Sequence, residues 1–289
     1  MTAFSGHAKG VLVTSVGVIL LTPDSLLIRL IEADTWTIIF WRNLLLACTL
    51  LIGLALAHRD SLFARIRAIG LSGLAAAGLF TCSTISFITA ILHTSVANTL
   101  IMVSAAPLFA ALFSRLFLGE AVAQRTWIAI ALTLGGIGVI VSGSLASGSL
   151  TGDLAALLTA ASIGGTFTAV RSRPRVDMTP AIALGALFSA VIVSPLAVPV
   201  AVAPLDLGLL AVMGILLLPL SYLLITMGPR YLPAPEVGLL MLLETVLGPL
   251  WVWLVLGEVP THFAFIGGAI VLGTLIAHSA VGLRSARYA

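Results

Sequence analysis

Long apolar runs alternate with short polar links from one end of this chain to the other. The runs fall at about 10–31, 36–57, 68–91, 95–117, 126–143, 153–170, 178–202, 205–228, 235–256 and 261–282. A helix that crosses a bilayer needs about 20 apolar residues, and the runs are of that order. Barrel strands would be about 10 residues long and alternate in polarity, which these runs do not. The pattern predicts roughly ten transmembrane helices and leaves no length for a soluble domain. The first run has one lysine before it and resembles a signal peptide in that respect. It is too long for an h-region, contains Pro23 and Asp24, and shows no clear small-residue cleavage site, so it is read as a retained helix.

The pattern also repeats. Leu118-Gly119-Glu120 closes the fourth run and returns as Leu256-Gly257-Glu258 at the close of the ninth. At the same offset Ile128 matches Ile266, Ala131 matches Ala269, Leu134 matches Leu272, Gly135 matches Gly273 and Ser83 matches Ser221. A fixed offset over such a stretch means that one unit was doubled. The triplets lie five runs apart, an odd number, so the two units run oppositely through the bilayer. The expected fold is therefore an all-α integral membrane protein. It has ten transmembrane helices in two inverted five-helix repeats, 1–147 and 148–289, joined by the Gly- and Ser-rich stretch 142–152.

Composition agrees: 60% of residues are hydrophobic, 9% are charged, and the mean hydropathy is +1.19. A soluble domain carries about 25% charged residues. The sequence pI of about 9.3 would suit a nucleic-acid partner, but the placement of the charges does not. With the N-terminus inside, 12 of the 14 Lys and Arg residues fall at inner ends of runs, all except Arg29 and Arg42. That is the bias that orients membrane helices, so both termini are expected in the cytoplasm of an inner-membrane protein. Cys48 and Cys82 lie within runs and are read as reduced core residues. His93, His262 and His278 sit at run ends without metal-ligand spacing, so no metal is expected. No HExxH, nucleophile elbow or phosphate loop occurs, and neither an enzyme nor a cofactor is expected.

Ionisable groups within a bilayer are costly and mark function by default. Glu244 lies near the middle of the ninth run, suited to a substrate ammonium, a proton or a hydrogen-bonded packing role. Asp24 and Arg42 lie on consecutive antiparallel runs, about ten residues before and about eight after the intervening turn. At about 1.5 Å per residue they reach similar depth and are expected to approach each other. Such a pair orders helices as a buried ion pair, or opens during gating to offer Arg42 to a substrate carboxylate. Glu236 starts the ninth run, where the helix dipole favours a carboxylate. Asn98, its repeat mate, lies in the outer third of the fourth run and suits either substrate or interhelical bonding. Phe80, Ser83, Thr84 and Phe87 share one helical face of the third run, which either bonds neighbouring helices or lines a path. Arg29 is expected to snorkel outward and pair with Glu32. Glu120 and Glu258 end helices at opposite faces and look structural. Trp36, Trp127, Trp251 and Trp253 are expected in the interfacial belt, with Trp41 deeper.

Pro23, Pro107, Pro195, Pro219 and Pro249 lie inside runs, where each favours a kink. Gly135, Gly136 and Gly138 cluster on the fifth run, and Gly267, Gly268 and Gly273 on the tenth. Small residues let backbones approach closely, here within each half or across a dimer.

Together, Ser95-Val-Ala-Asn-Thr-Leu, Ala106-Pro107-Leu-Phe-Ala-Ala-Leu, Leu118-Gly-Glu120 and the stretch Leu242-Leu-Glu244 through Trp251 to Glu258 resemble the drug/metabolite transporter superfamily in its ten-helix EamA branch. The branch pattern often has Glu-Pro where this chain has Glu244-Thr245, with its proline instead at Pro249. Within the branch the chain looks most like the YddG-type exporters of aromatic and other amino acids. The resemblance implies a basket of helices around a central mid-membrane cavity, walled by the third, fourth, eighth and ninth helices. The substrate-binding candidates are Phe80, Ser83, Phe87, Asn98, Tyr222 and Glu244. Asp24 and Arg42 are the gating or ion-pair candidates, and Pro23, Pro107, Pro219 and Pro249 the kink candidates. The expected partners are a small-molecule substrate and the lipid bilayer, with protons as the candidate coupling ion and a monomer or homodimer as the assembly. Export by alternating access is the expected function, by facilitated diffusion or proton coupling. A nucleotide-sugar or other metabolite transporter of the same superfamily, the former needing more cationic groups for phosphates, and a non-transporting membrane scaffold are the alternatives.

Overall fold

The computed structural model describes residues 6–57, 62–119, 121–122, 124–147, 149–173, 176–200, 202–227, 231 and 234–287. Of these, 6–7, 62, 144–147, 226, 234–239 and 279–287 are described by backbone alone. Glu120, Arg59, Arg175 and Arg230 lie outside the described residues, as do the side chains of Glu236, Arg284 and Arg287.

The described residues form helices and no strands: α1 (Gly6–Leu21), α2 (Asp24–Leu30), α3 (Thr35–Ala57), α4 (Leu62–Ala68), α5 (Gly70–His93), α6 (Val96–Val103), α7 (Ala106–Leu118), α8 (Gln124–Ser147), α9 (Leu150–Arg171), α10 (Thr179–Val193), α11 (Pro204–Ala211), a π-helical segment (Val212–Leu217), α12 (Leu218–Met227), α13 (Ala234–Leu256) and α14 (His262–Arg287). Among the described residues seven helical stretches are long and apolar enough to cross a membrane, and Thr179–Val193, Leu240–Leu256 and His262–His278 are shorter apolar helices. Large apolar side chains such as Leu71, Phe117, Ile192 and Leu216 are exposed. In water so many would be an aggregation hazard, whereas against lipid tails they are at home.

The prolines act in different ways. Pro23 divides the first stretch into α1 and α2, so that Asp24 opens a fresh helix. The fourth stretch breaks at Ser104 and Ala105, and Pro107 sits in the first turn of α7, where its missing N–H costs nothing. Pro219 follows the π-helical segment, whose wider turn accommodates a residue without a donor. Pro249 lies inside α13, which continues through it. Pro195, expected inside a span, instead lies beyond α10, whose cap is Ser194. The seventh span is accordingly shorter than its apolar run, because Pro195 and Pro199 deny the helix its donors.

Both glycines of the repeated triplet end their helices in the left-handed region, Gly119 at φ 68° after α7 and Gly257 at φ 70° after α13. This is the conformation in which a missing β-carbon removes the steric penalty.

Packing runs mainly between the sequence halves: α5 against α9, α8 against α14, α3 against α10, α7 against α9, and α1 against α12 and α13. The glycine clusters follow suit, which corrects the expectation of packing within each half. A β-carbon on Gly136 would fall 2.9 Å from the Gly267 carbonyl oxygen, and one on Gly267 would fall 2.5 Å from that of Gly136. The α8–α14 crossing is therefore backbone on backbone, as small residues permit in lipid. Valine at Gly267 is expected to destabilise the protein by about 1–3 kcal/mol through overpacking. Valine at Gly273, around which a β-carbon meets nothing within 4 Å, is expected to stay within about 0.5 kcal/mol of wild type. Thermal unfolding in detergent separates the two, and equal losses would contradict the crossing.

Candidate functional site

The break at Pro23 places the Asp24 carboxylate at the N-terminus of α2, where the helix dipole favours it, deep among the other helices. Arg42 comes from α3. Its Nη2 donates to Asp24 Oδ2 at 2.8 Å and its Nε to Oδ1 at 3.3 Å, a forked pair with both side chains 4% exposed. Arg42 Nη1 donates to Thr84 Oγ1 of α5 at 3.1 Å. Thr84 donates in turn to Asn43 Oδ1 at 3.1 Å, and Asn43 Nδ2 donates to the Ile39 carbonyl at 2.8 Å. Every guanidinium nitrogen thus has a partner, as a buried charge requires.

Two further ionisable groups lie within electrostatic reach of this pair, Tyr222 on α12 and Glu244 on α13. Glu244 is part-buried and forms no hydrogen bond or ion pair with the described residues. Tyr222 meets Phe80 of α5 edge to face, with ring centroids 6.2 Å apart. Ser25 and Ser221, chain neighbours of Asp24 and Tyr222, are buried, and their hydroxyls have no hydrogen-bond partner among the described residues. Leaving a buried hydroxyl unsatisfied costs about 1–3 kcal/mol, so groups in this state mark a place for a ligand or water. Five helices, α2, α3, α5, α12 and α13, thus converge on one polar cluster.

The other candidates divide. Of the hydroxyls on α5, Thr81 donates to the Gly185 carbonyl of α10 at 2.8 Å and Ser86 bonds Thr159 of α9 at 2.8 Å. Ser83 donates to the Phe80 carbonyl of its own helix. Phe87 packs against the apolar cluster that holds Ile88, Leu100 and Met213. Trp41 donates to the Pro199 carbonyl at 3.2 Å. Trp251, expected in the interfacial belt, donates to Thr22 Oγ1 at 2.9 Å and so braces the break between α1 and α2.

Asn98 belongs to a second cluster, at the end of the bundle where α13 finishes. From Glu244 to the end of α13 is about 18 Å of helix. At this end Arg29 Nη2 donates to the Thr94 carbonyl at 2.7 Å and lies 3.3 Å from Glu258 Oε2. Glu258 Oε1 accepts from the Val96 N–H at 3.0 Å, capping α6. Thr94 Oγ1 donates to Asp153 Oδ1 at 2.7 Å, and Asn98 Nδ2 points to Thr94 Oγ1 at 3.4 Å. Arg29 therefore pairs with Glu258 and not with Glu32. Its partner comes from the other half of the chain, where sequence distance hides it. Arg29, His93, Thr94, Ser95, Asn98 and Glu258 help line a cavity of about 370 Å³ at this end. Among the described residues no group of His, Cys, Asp and Glu has the arrangement of a metal site.

Comparison with known proteins fits this architecture. A family profile described as "EamA-like transporter family" matches the chain twice, over residues 9–142 and 150–279. The pseudopaline exporter CntI of Pseudomonas aeruginosa (strain UCBPP-PA14) is 30% identical over 195 residues, which are 66% of this chain and 68% of the relative. A solved crystal structure, named only as that of a protein, superposes with a TM-score of 0.62 at 18% identity, over 95% of this chain and 98% of the other. That likeness concerns the fold alone. With the two profile matches spanning nearly all of its apolar helices, this multi-pass membrane protein belongs to the EamA-like transporter family.

Proposed function

We propose that this chain exports small metabolites, foremost amino acids including aromatic ones, by alternating access at the mid-bilayer cluster. The observation that carries the reading is Glu244: a carboxylate in the middle of a membrane helix, without a hydrogen-bond partner among the described residues, beside a neutralised Asp24–Arg42 pair and the Phe80 and Tyr222 rings. An ionisable group is kept at that depth for a substrate or a proton. A sealed scaffold has no use for it.

Alternating access rests on two inverted units, 1–147 and 148–289. The doubled profile match supports them, as does the shared left-handed glycine of the two triplets. So does the pairing of helices. The packing of α5 on α9 has its counterpart in α12 on α1, and that of α7 on α9 in α13 on α1, while α3 with α10 and α8 with α14 each pair a helix with its own repeat mate. A two-fold axis in the membrane plane produces such matched partners. We place the protein in the inner membrane with both termini cytoplasmic, as the distribution of basic residues favours. The direction of transport is taken from the exporter relative.

The test is transport by purified protein in liposomes loaded with labelled tryptophan, with and without an imposed pH gradient. Release faster than from protein-free liposomes is expected. Release that follows the gradient makes Glu244 the leading proton site, and release indifferent to it makes the protein a facilitator. No release of any amino acid would overturn the reading.

A further inference from the structure

The mid-bilayer cluster has a definite charge balance. Asp24 and Arg42 are joined by two hydrogen bonds and cancel, and the remaining Arg42 nitrogen is held by Thr84. Among the described residues of the cluster, the ionisable group left to meet a ligand's charge is therefore Glu244. Around it stand groups that favour a cation. The faces of the Phe80 and Tyr222 rings carry the negative part of the aromatic quadrupole. The Ser25 hydroxyl, which lies 3.4 Å from where a β-carbon on Gly248 would stand, one turn after Glu244 on α13, is buried and without a hydrogen-bond partner among the described residues, and is able to accept from an N–H donor. A carboxylate entering the same space would meet Glu244 as a like charge and find the only nearby guanidinium among the described residues already neutralised.

We propose that the transporter recognises its substrate through a protonated amine and that a substrate carboxylate is dispensable, so that the substrate class includes primary amines with an aromatic or apolar body. The inference rests on the mid-bilayer cluster being the transport site. The ammonium donates to the Glu244 carboxylate, and the body of the molecule packs against the Phe80 and Tyr222 rings.

Three compounds with the same indole body separate the possibilities: tryptophan carries both groups, tryptamine only the amine, and indole-3-propionate only the carboxylate. Each is added in excess, on the side from which substrate is taken up, to proteoliposomes moving labelled tryptophan. Competition avoids confusion with passive leakage of the added compounds. Tryptamine is expected to compete within about threefold of unlabelled tryptophan, and indole-3-propionate about 100-fold less well, since a site built around one polar group rejects analogues lacking it. Strong competition by indole-3-propionate with none by tryptamine would overturn the amine inference and leave the transport reading intact. Calorimetric binding of tryptamine to the purified protein gives a second readout that needs no flux. Binding that Glu244→Gln weakens about tenfold or more is expected, from the loss of a hydrogen bond to a charged group. Absence of tryptamine binding to wild type would overturn the inference even if tryptophan is transported. Absence of tryptophan flux with tryptamine bound would overturn the amino-acid reading instead.

Discussion

Glu244→Gln is expected to lower transport about 10- to 100-fold while the protein stays folded. The size follows from the about 1.5–3 kcal/mol that a hydrogen bond to a charged group contributes. Glutamine keeps the shape and one acceptor oxygen and loses only the charge, so the substitution separates recognition from packing. The fold is expected to be indifferent because Glu244 has no hydrogen-bond partner among the described residues. A mid-membrane carboxylate is a cost to stability, and its neutral replacement should raise the melting temperature or leave it unchanged. The measurement is a pair: flux in proteoliposomes and thermal unfolding in detergent on the same preparation. Lost flux together with lost stability would make Glu244 a packing residue. Unchanged flux would move the site elsewhere, first to the cavity at the Glu258 end, whose side chains have the polarity for it.

Depth was legible in the sequence and neighbourhood was not. Asp24 and Arg42 could be brought together because they flank one turn on antiparallel helices, so rise per residue fixes their level. The triplets at Gly119 and Gly257 predicted helix ends because a left-handed cap requires glycine. Rise per residue does not say which way a helix face points. Arg29 reaches Thr94, 65 residues away, and Glu258 on the other half, where a local partner at Glu32 had been the expectation. Asn98, expected in the outer third of its span, lines the cavity at the end of the bundle where α13 finishes and not the level of Glu244. The α8–α14 crossing was hidden for the same reason, since a glycine cluster announces a close approach without naming what approaches. Ser25 gave no signal in sequence, and Ser221 only as the repeat mate of Ser83, because a serine in a membrane helix ordinarily bonds its own helix, as Ser83 does.

Asp24→Asn is expected to destabilise the protein strongly. It strands the Arg42 guanidinium, 4% exposed, without a counter-charge, and breaking a buried pair from one side costs about 3–5 kcal/mol. Arg42→Met strands Asp24 and should cost a similar amount, with the Thr84–Asn43 bond left behind as a remnant. The double variant Asp24→Leu/Arg42→Met removes both charges at once and should regain most of the loss, because an apolar pair avoids the desolvation that the ion pair suffers. Thermal unfolding of the two single variants and the double variant forms a cycle whose coupling term measures the pair. Flux through the double variant then decides what the pair is for. If its role is to hold α2 on α3 while Glu244 supplies the charge that the substrate meets, the double variant transports within about tenfold of wild type, since the net charge of the cluster is unchanged. A double variant that is as stable as wild type yet silent would mean that the pair itself opens during transport, and Arg42 would then join Glu244 among the residues that touch the substrate.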